Sequence, residues 1–323
     1  MKKRLLFLFL FFPISIFAQK NFDFRFWEDS LGRLREQVMR CPNETERFSL
    51  NEDFMNLLEF VLFEPKSFDY DWANTANFSV VKSPDNLFKI FTWYVAKDNR
   101  TVENFGFLHH YNDGRKKFVI YPLYDKRVAI DYPETSVADH NRWYGAVYYS
   151  VIPLQTKGKT YYTLLGLNTN DIFTNQKIIE ILHFKKDNTP VFGAKIFKNY
   201  PKGKVARVIF EYNKESSLSL KYGVHAYNVG TGKRDPKTKR IIYTTVRSEM
   251  IIFDELIPMS DGMPDIPAYL VPESSLNQAF IPQDGAWVFV PSVLGRNPDK
   301  PREQYKHKNR DFYIPPKNET ADE

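Results

Sequence analysis

Leu87-Phe88-Lys89-Ile90-Phe91-Thr92-Trp93-Tyr94-Val95 is the stretch that decides the fold class. It is dense in aromatic and β-branched residues, which suit a pleated, packed surface. From about Phe78 the hydrophobic period of the chain is two, the repeat of a strand. Further strands are predicted at Asn104 to Tyr111 and Lys117 to Tyr121, with a hairpin signal at Asn112-Asp113-Gly114, residues that tolerate positive φ. Trp143 to Leu154, Thr160 to Leu167, Lys177 to Phe184, Ala206 to Tyr212, Leu218 to Tyr222, Ile241 to Val246 and Met250 to Leu256 continue the pattern. The apolar residues of Lys177 to Phe184 also fit a helix. Short strands with frequent turns predict a mainly β, antiparallel body; sandwich, barrel and irregular propeller all satisfy the pattern.

Upstream of the strands the period is helical. Trp27, Leu31, Leu34 and Val38 share one face, with Glu28, Asp29, Arg33, Arg35 and Glu36 assigned to the other. Cys41-Pro42-Asn43 ends this helix. A second is predicted to start at Ser49, which has capping-box spacing to Glu52. Its stripe is Leu50, Phe54, Leu57, Leu58, Val61 and Leu62, and Glu64-Pro65 stops it. The two form a short N-terminal α-helical hairpin, with Leu57 among its packed residues.

The ends of the chain have their own textures. Met1-Lys2-Lys3-Arg4, the Leu- and Phe-rich run that follows, and small Ala18 read as an export signal cleaved after Ala18. Prolines at 258, 264, 267, 272 and 282 predict loops there, and Trp287 to Val290 one last strand. The expected organisation is a signal peptide at 1–18, the helical hairpin at 19–70, a β-rich domain at 71–290 and a charged, Pro-rich tail at 291–323.

Composition narrows the function. Hydrophobic residues make up 43% of the 323 and aromatics 16%, too apolar for a disordered chain. Lys and Arg number 45 against 39 Asp and Glu; without Lys2, Lys3 and Arg4 the mature balance is close to neutral, which argues against nucleic-acid binding. One cysteine, Cys41, excludes an internal disulfide and a Cys-rich zinc site, and is expected to be a buried small residue. No later run is long enough to predict a transmembrane helix in the mature chain.

A resemblance rests on several strings in order: Trp143-Tyr144-Gly145 with Tyr148-Tyr149, Tyr161 to Gly166, Lys177 to Leu182, Phe192 to Phe197, Arg207 to Tyr212 and Ile251 to Pro258. Together they resemble a group of uncharacterised exported proteins of Bacteroidetes bacteria, over roughly Phe78 to Val290. The resemblance implies a periplasmic or outer-membrane-associated protein and brings no catalytic residues.

The histidines, among them His109, His110, His140 and His183, form no HExxH motif or i, i+4 pair. His109 and His110 are adjacent on a strand, point to opposite faces, and read as surface or hydrogen-bonded groups. No GxSxG elbow or phosphate loop occurs, and no cofactor motif. Asp254 and Glu255 should diverge, and Glu180 and Glu211 read as solvent-facing or salt-bridged strand positions. Asn168 to Asp171 and Asp261-Gly262 lack a calcium ladder. Asp29-Ser30-Leu31 matches a three-residue O-glycosylation acceptor, but Leu31 lies on the predicted buried face.

The best candidate for contact is Asn228 to Arg240, where Lys233, Arg234, Lys237, Lys239 and Arg240 face Asp235 alone. It reads as a solvated hairpin tip or as a grip on an anionic partner. The expectation is an exported, non-catalytic binding or accessory component of the periplasm or outer membrane, with an envelope protein or anionic envelope component as partner. A subunit bracing or plugging an outer-membrane protein-export channel is one version. The alternative is a binder or processor of envelope glycans.

Overall fold

The computed structural model describes residues 22–293 except Ala76 and Asp113. The expected signal peptide and the tail beyond residue 293 lie outside the described residues.

Asp23 opens the first helix, α1 (Phe24–Arg40), its side chain accepting the Phe26 N–H. The second, α2 (Glu44–Phe63), is capped six residues before the expected Ser49. Asn43 is the cap, accepting from the Glu46 N–H, and Glu44 and Glu46 place negative charge on the first turn. Ser49 is inside the helix, because the backbone is already committed at Asn43. The buried side of α1 is Glu28, Leu31, Arg35 and Val38. Glu28 and Arg35, assigned to the solvent side, are therefore inside. Each sits three residues from a core leucine or valine, within the reach of the same face.

The strands follow in chain order: β1 (Ser79–Lys82), β2 (Phe88–Ala96), β3 (Val102–Asn112), β4 (Lys117–Tyr124), β5 (Ala138–Asp139), β6 (Val147–Thr156), β7 (Lys159–Asn168), β8 (Thr174–Phe184), β9 (Pro190–Phe192), β10 (Phe197–Lys198), β11 (Val208–Asn213), β12 (Leu220–Arg234), β13 (Ile241–Pro258), β14 (Leu270–Gln283) and β15 (Ala286–Val293). They form three sheets: a meander β1-β2-β3-β4; a second in the order β5-β9-β8-β7-β6, with β11 also beside β8; and a third, β10-β15-β14-β13-β12. Pairing is antiparallel except β10 with β15. No sheet closes into a barrel.

The sheets and helices stack in four layers. Phe91, Trp93 and Val95 of β2 meet Leu31, Phe54, Leu58 and Val61 of the helices. Phe88 and Ile90, on the opposite face, meet Tyr148, Tyr162, Leu164 and Leu182 of the second sheet. That sheet's other face, with Leu165, Ile179 and Ile181, packs on Phe253, Phe280 and Trp287 of the third. β2 is thus covered on both sides, which is why its sequence runs apolar almost without alternation. Lys89 is the exception on the helix-facing side; its ammonium donates to the Tyr70 carbonyl.

Several boundaries depart from the sequence reading. Ile241 to Val246 and Met250 to Leu256 are one strand, β13. Pro272 and Pro282 lie within β14 rather than in loops, close to its ends, where a missing N–H costs least. The strand expected from Trp143 begins at Val147, because Gly145 has φ +80° and a Cβ there would meet the Asp125 carboxylate at 2.4 Å. In the Asn112 hairpin the positive φ falls on Lys116. Lys177 to Phe184 is a strand, with its buried pair Glu180 and Arg207 bonded at 2.8 Å.

Candidate functional site

A strand pair that outruns its sheet presents the cations singled out in the sequence. β14 pairs with β13 only from Ile251 to Pro258. β12 and β13 go on pairing with each other from Gly223↔Met250 to Gly230↔Tyr243. At about 3.3 Å per residue this two-stranded arm extends roughly 23 Å before its tip. Isolated two-stranded ribbons are marginal in water, so the arm depends on the sheet that roots it. Asn228 and Thr245, paired across it, are joined by a 2.9 Å hydrogen bond.

The tip is built around its one acid. The Asp235 carboxylate accepts the Lys237 and Thr238 N–H groups and the Thr238 hydroxyl. Those bonds, Thr238's first, hold its pKa below the usual carboxylate value. Lys239, at φ +60°, turns the chain back. Asp235 is thus spent on the turn. Lys233, Arg234, Lys237, Lys239 and Arg240 are not buried, and none forms a salt bridge among the described residues. Charge is not the arm's only feature. Val224, Val229, Ile241, Ile242 and Tyr243 are exposed along it, Tyr243 by 60%. The sequence showed the cations; it did not show that these apolar residues share their ribbon.

The carboxylates meet expectation in part, Glu180 being the salt-bridged one. Glu180, fully buried, is bonded to Arg207, which also donates to the Pro133, Ser136 and Phe192 carbonyls. Burial pushes the Glu180 carboxyl up and Arg207 opposes the shift. Glu211 is half-buried and forms no salt bridge among the described residues: Asn170, Thr174 and Gln176 donate to it. Asp254 accepts the Ser219 N–H at 2.7 Å. Glu211, Asp254 and Glu255 nevertheless line one cleft of about 610 Å³ between the second and third sheets, together with Tyr144 and Tyr200. Asp254 and Glu255 reach it together because the β13–β14 register shifts between them.

The remaining candidates carry no chemistry of their own. His109 and His110 do take opposite faces, but both are buried. His109 lies against Phe68 and Phe118, and His110 stacks on Phe184 at 4.0 Å. Burial, with Lys89 nearby, pushes His109 down to about 3. Cys41 is half-buried at the end of α1, not in the core. Leu31 is fully buried, so the Asp29-Ser30-Leu31 acceptor sits in a packed helix. Asp171 is used by a turn, accepting from Phe173 and Thr174. Among the described residues no three His, Cys, Asp or Glu are placed to hold a metal ion. No described helix is long and apolar enough to cross a membrane.

The chain has no match. Neither protein-family models, curated proteins nor solved structures yield a significant similarity.

Proposed function

We propose that the protein is an exported accessory component of the periplasm or outer membrane that holds an anionic envelope partner through the β12–β13 arm. The observation that supports this reading is the arm itself. Five unpaired cations and a row of exposed aliphatic and aromatic side chains project on a ribbon that no third strand covers. Burying those cations unpaired would cost several kcal/mol each, so packing within the monomer cannot account for them. A phosphate-bearing glycolipid or an acidic protein face supplies the complementary charge. Bracing an outer-membrane export channel is one form of the role.

The test is association with envelopes of the native host. Ser at Lys233, Arg234, Lys237, Lys239 and Arg240 should leave the melting temperature nearly unchanged and reduce association. Added salt should weaken the wild-type interaction, since charges are screened over about 8 Å at physiological ionic strength. Association indifferent to both would sink the proposal.

The 610 Å³ cleft favours a second reading. Tyrosines beside carboxylates suit a polyhydroxylated ligand such as an envelope glycan. Binding to a glycan array that Tyr200→Ala abolishes, with the five-Ser arm variant unaffected, would transfer the function to the cleft.

A further inference from the structure

Arg35 is a cation inside the molecule with no anion paired to it among the described residues. Only 2% of it is exposed. Its Nε donates to the Asn77 carbonyl at 3.2 Å and its Nη2 to the Tyr94 carbonyl at 3.1 Å. Among the described residues Nη1 is buried without a hydrogen-bond partner. Glu28, the buried carboxylate two turns earlier on the same face, is already engaged by the Tyr70 hydroxyl and the Asn74 N–H. The guanidinium packs over the Phe54 ring. Burial pushes it down to about 10, so it remains charged at neutral pH. Carbonyl dipoles offset part of the cost of burying such a group; an unpaired N–H and a missing counter-charge leave the rest.

Arg35 also lines a cleft of about 440 Å³ where α1 meets β1 and β2. This is within the size range of small-molecule clefts, about 300–1,000 Å³. β1 ends its pairing at Ser79↔Thr92, so the edge of β2 beyond Thr92 has no strand beside it and the cleft opens there. Its walls divide by chemistry. Thr75 supplies a hydroxyl, those of Ser79 and Thr92 being bonded to the Tyr148 backbone, and Phe78, Val80 and Val147 supply apolar surface. Arg35 is the cleft's one basic residue.

We propose that this cleft binds a small organic monocarboxylate, whose charge pairs with Arg35 and whose hydrocarbon part lies on Phe78, Val80 and Val147. A single cation matches a single negative charge; a phosphate dianion would bring a second with nothing to meet it. The apolar wall selects a carboxylate with a short tail over a bare ion. Nη1 is the donor left for it, and a charge-assisted bond is the strong kind.

Hexanoate is the probe and hexanamide, which has the same tail without the charge, its control. Binding to the mature chain would be followed by thermal shift and by the Arg35 side-chain N–H resonances. Hexanoate should raise the melting temperature, move those resonances, and bind at least tenfold more tightly than hexanamide. Arg35→Gln should remove the preference. Because that variant also removes two hydrogen bonds of the fold, Met39→Trp, at the exposed rim, supplies a second block that leaves Arg35 in place. Equal affinity for hexanoate and hexanamide, unmoved Arg35 resonances, or hexanoate binding that survives Met39→Trp would each overturn the proposal.

Discussion

Protonating His109 in place would put a second cation beside Lys89, its cross-strand neighbour, beneath the ring of Phe68. The fold resists this, so His109 titrates near 3 when folded and near its ordinary 6.5 when unfolded. Above 6.5 both states are neutral there and the histidine imposes no penalty. As pH falls from 6.5 towards 3, only the unfolded chain takes up the proton, and stability is lost. At pH 5 the loss from this one group is about 2 kcal/mol. His109→Phe should shrink the drop in melting temperature between pH 7 and pH 5; a drop of the same size would show that other groups carry it. Alternation was legible along this strand, and with it the opposite facing of His109 and His110. That both faces of the strand are covered was not legible, and so both histidines were read as surface or hydrogen-bonded groups. Glu28 and Arg35 were misplaced for the same reason, whereas Glu180 is salt-bridged, one of the two positions expected for it. A charged residue on a core face looks like a solvent residue until its partners, which lie far along the chain, are known.

The helical hairpin shows the same effect one level up. Its stripe was legible, because apolar residues at 3.6 spacing have few other uses. Its centre was not. Leu58 is completely buried against the first sheet, whereas Leu57 is half-buried at the edge of the contact. Leu58→Ala should cost about 2–5 kcal/mol in a denaturant melt, and Leu57→Ala about 1 kcal/mol. Equal losses would mean that the helices pack through a different face. Strand ends were legible where the chain turns within a few residues, and illegible in β13. There Arg247-Ser248-Glu249 looks like a polar break between two strands. It is the stretch where one strand leaves the body, loses its neighbour β14, and meets water. Polar residues marked a change of surroundings, not an end of hydrogen bonding.

Across the whole molecule, four layers share three apolar interfaces, and the arm belongs to none of them beyond its root. The order of layers was not legible, since a strand covered on both faces does not say which sheet covers which side. The arm's cations were legible, because so many like charges in one short segment have no place in a core. Its independence from the layers can be tested by shortening it. Tyr227 and Val246 are directly opposed, so residues 228–245 can be replaced by an Asn-Gly turn that joins them. Tyr227 itself packs beside Met250 and Ile252 on the outer face of the third sheet and is kept. The shortened chain should melt within a few degrees of the full one, roughly what about 1 kcal/mol would shift in a chain this long. Envelope association should fall with the arm. A much lower melting temperature would show that the ribbon supports the sheet. An unchanged melt with association intact would move the contact to the helical hairpin or to the 610 Å³ cleft.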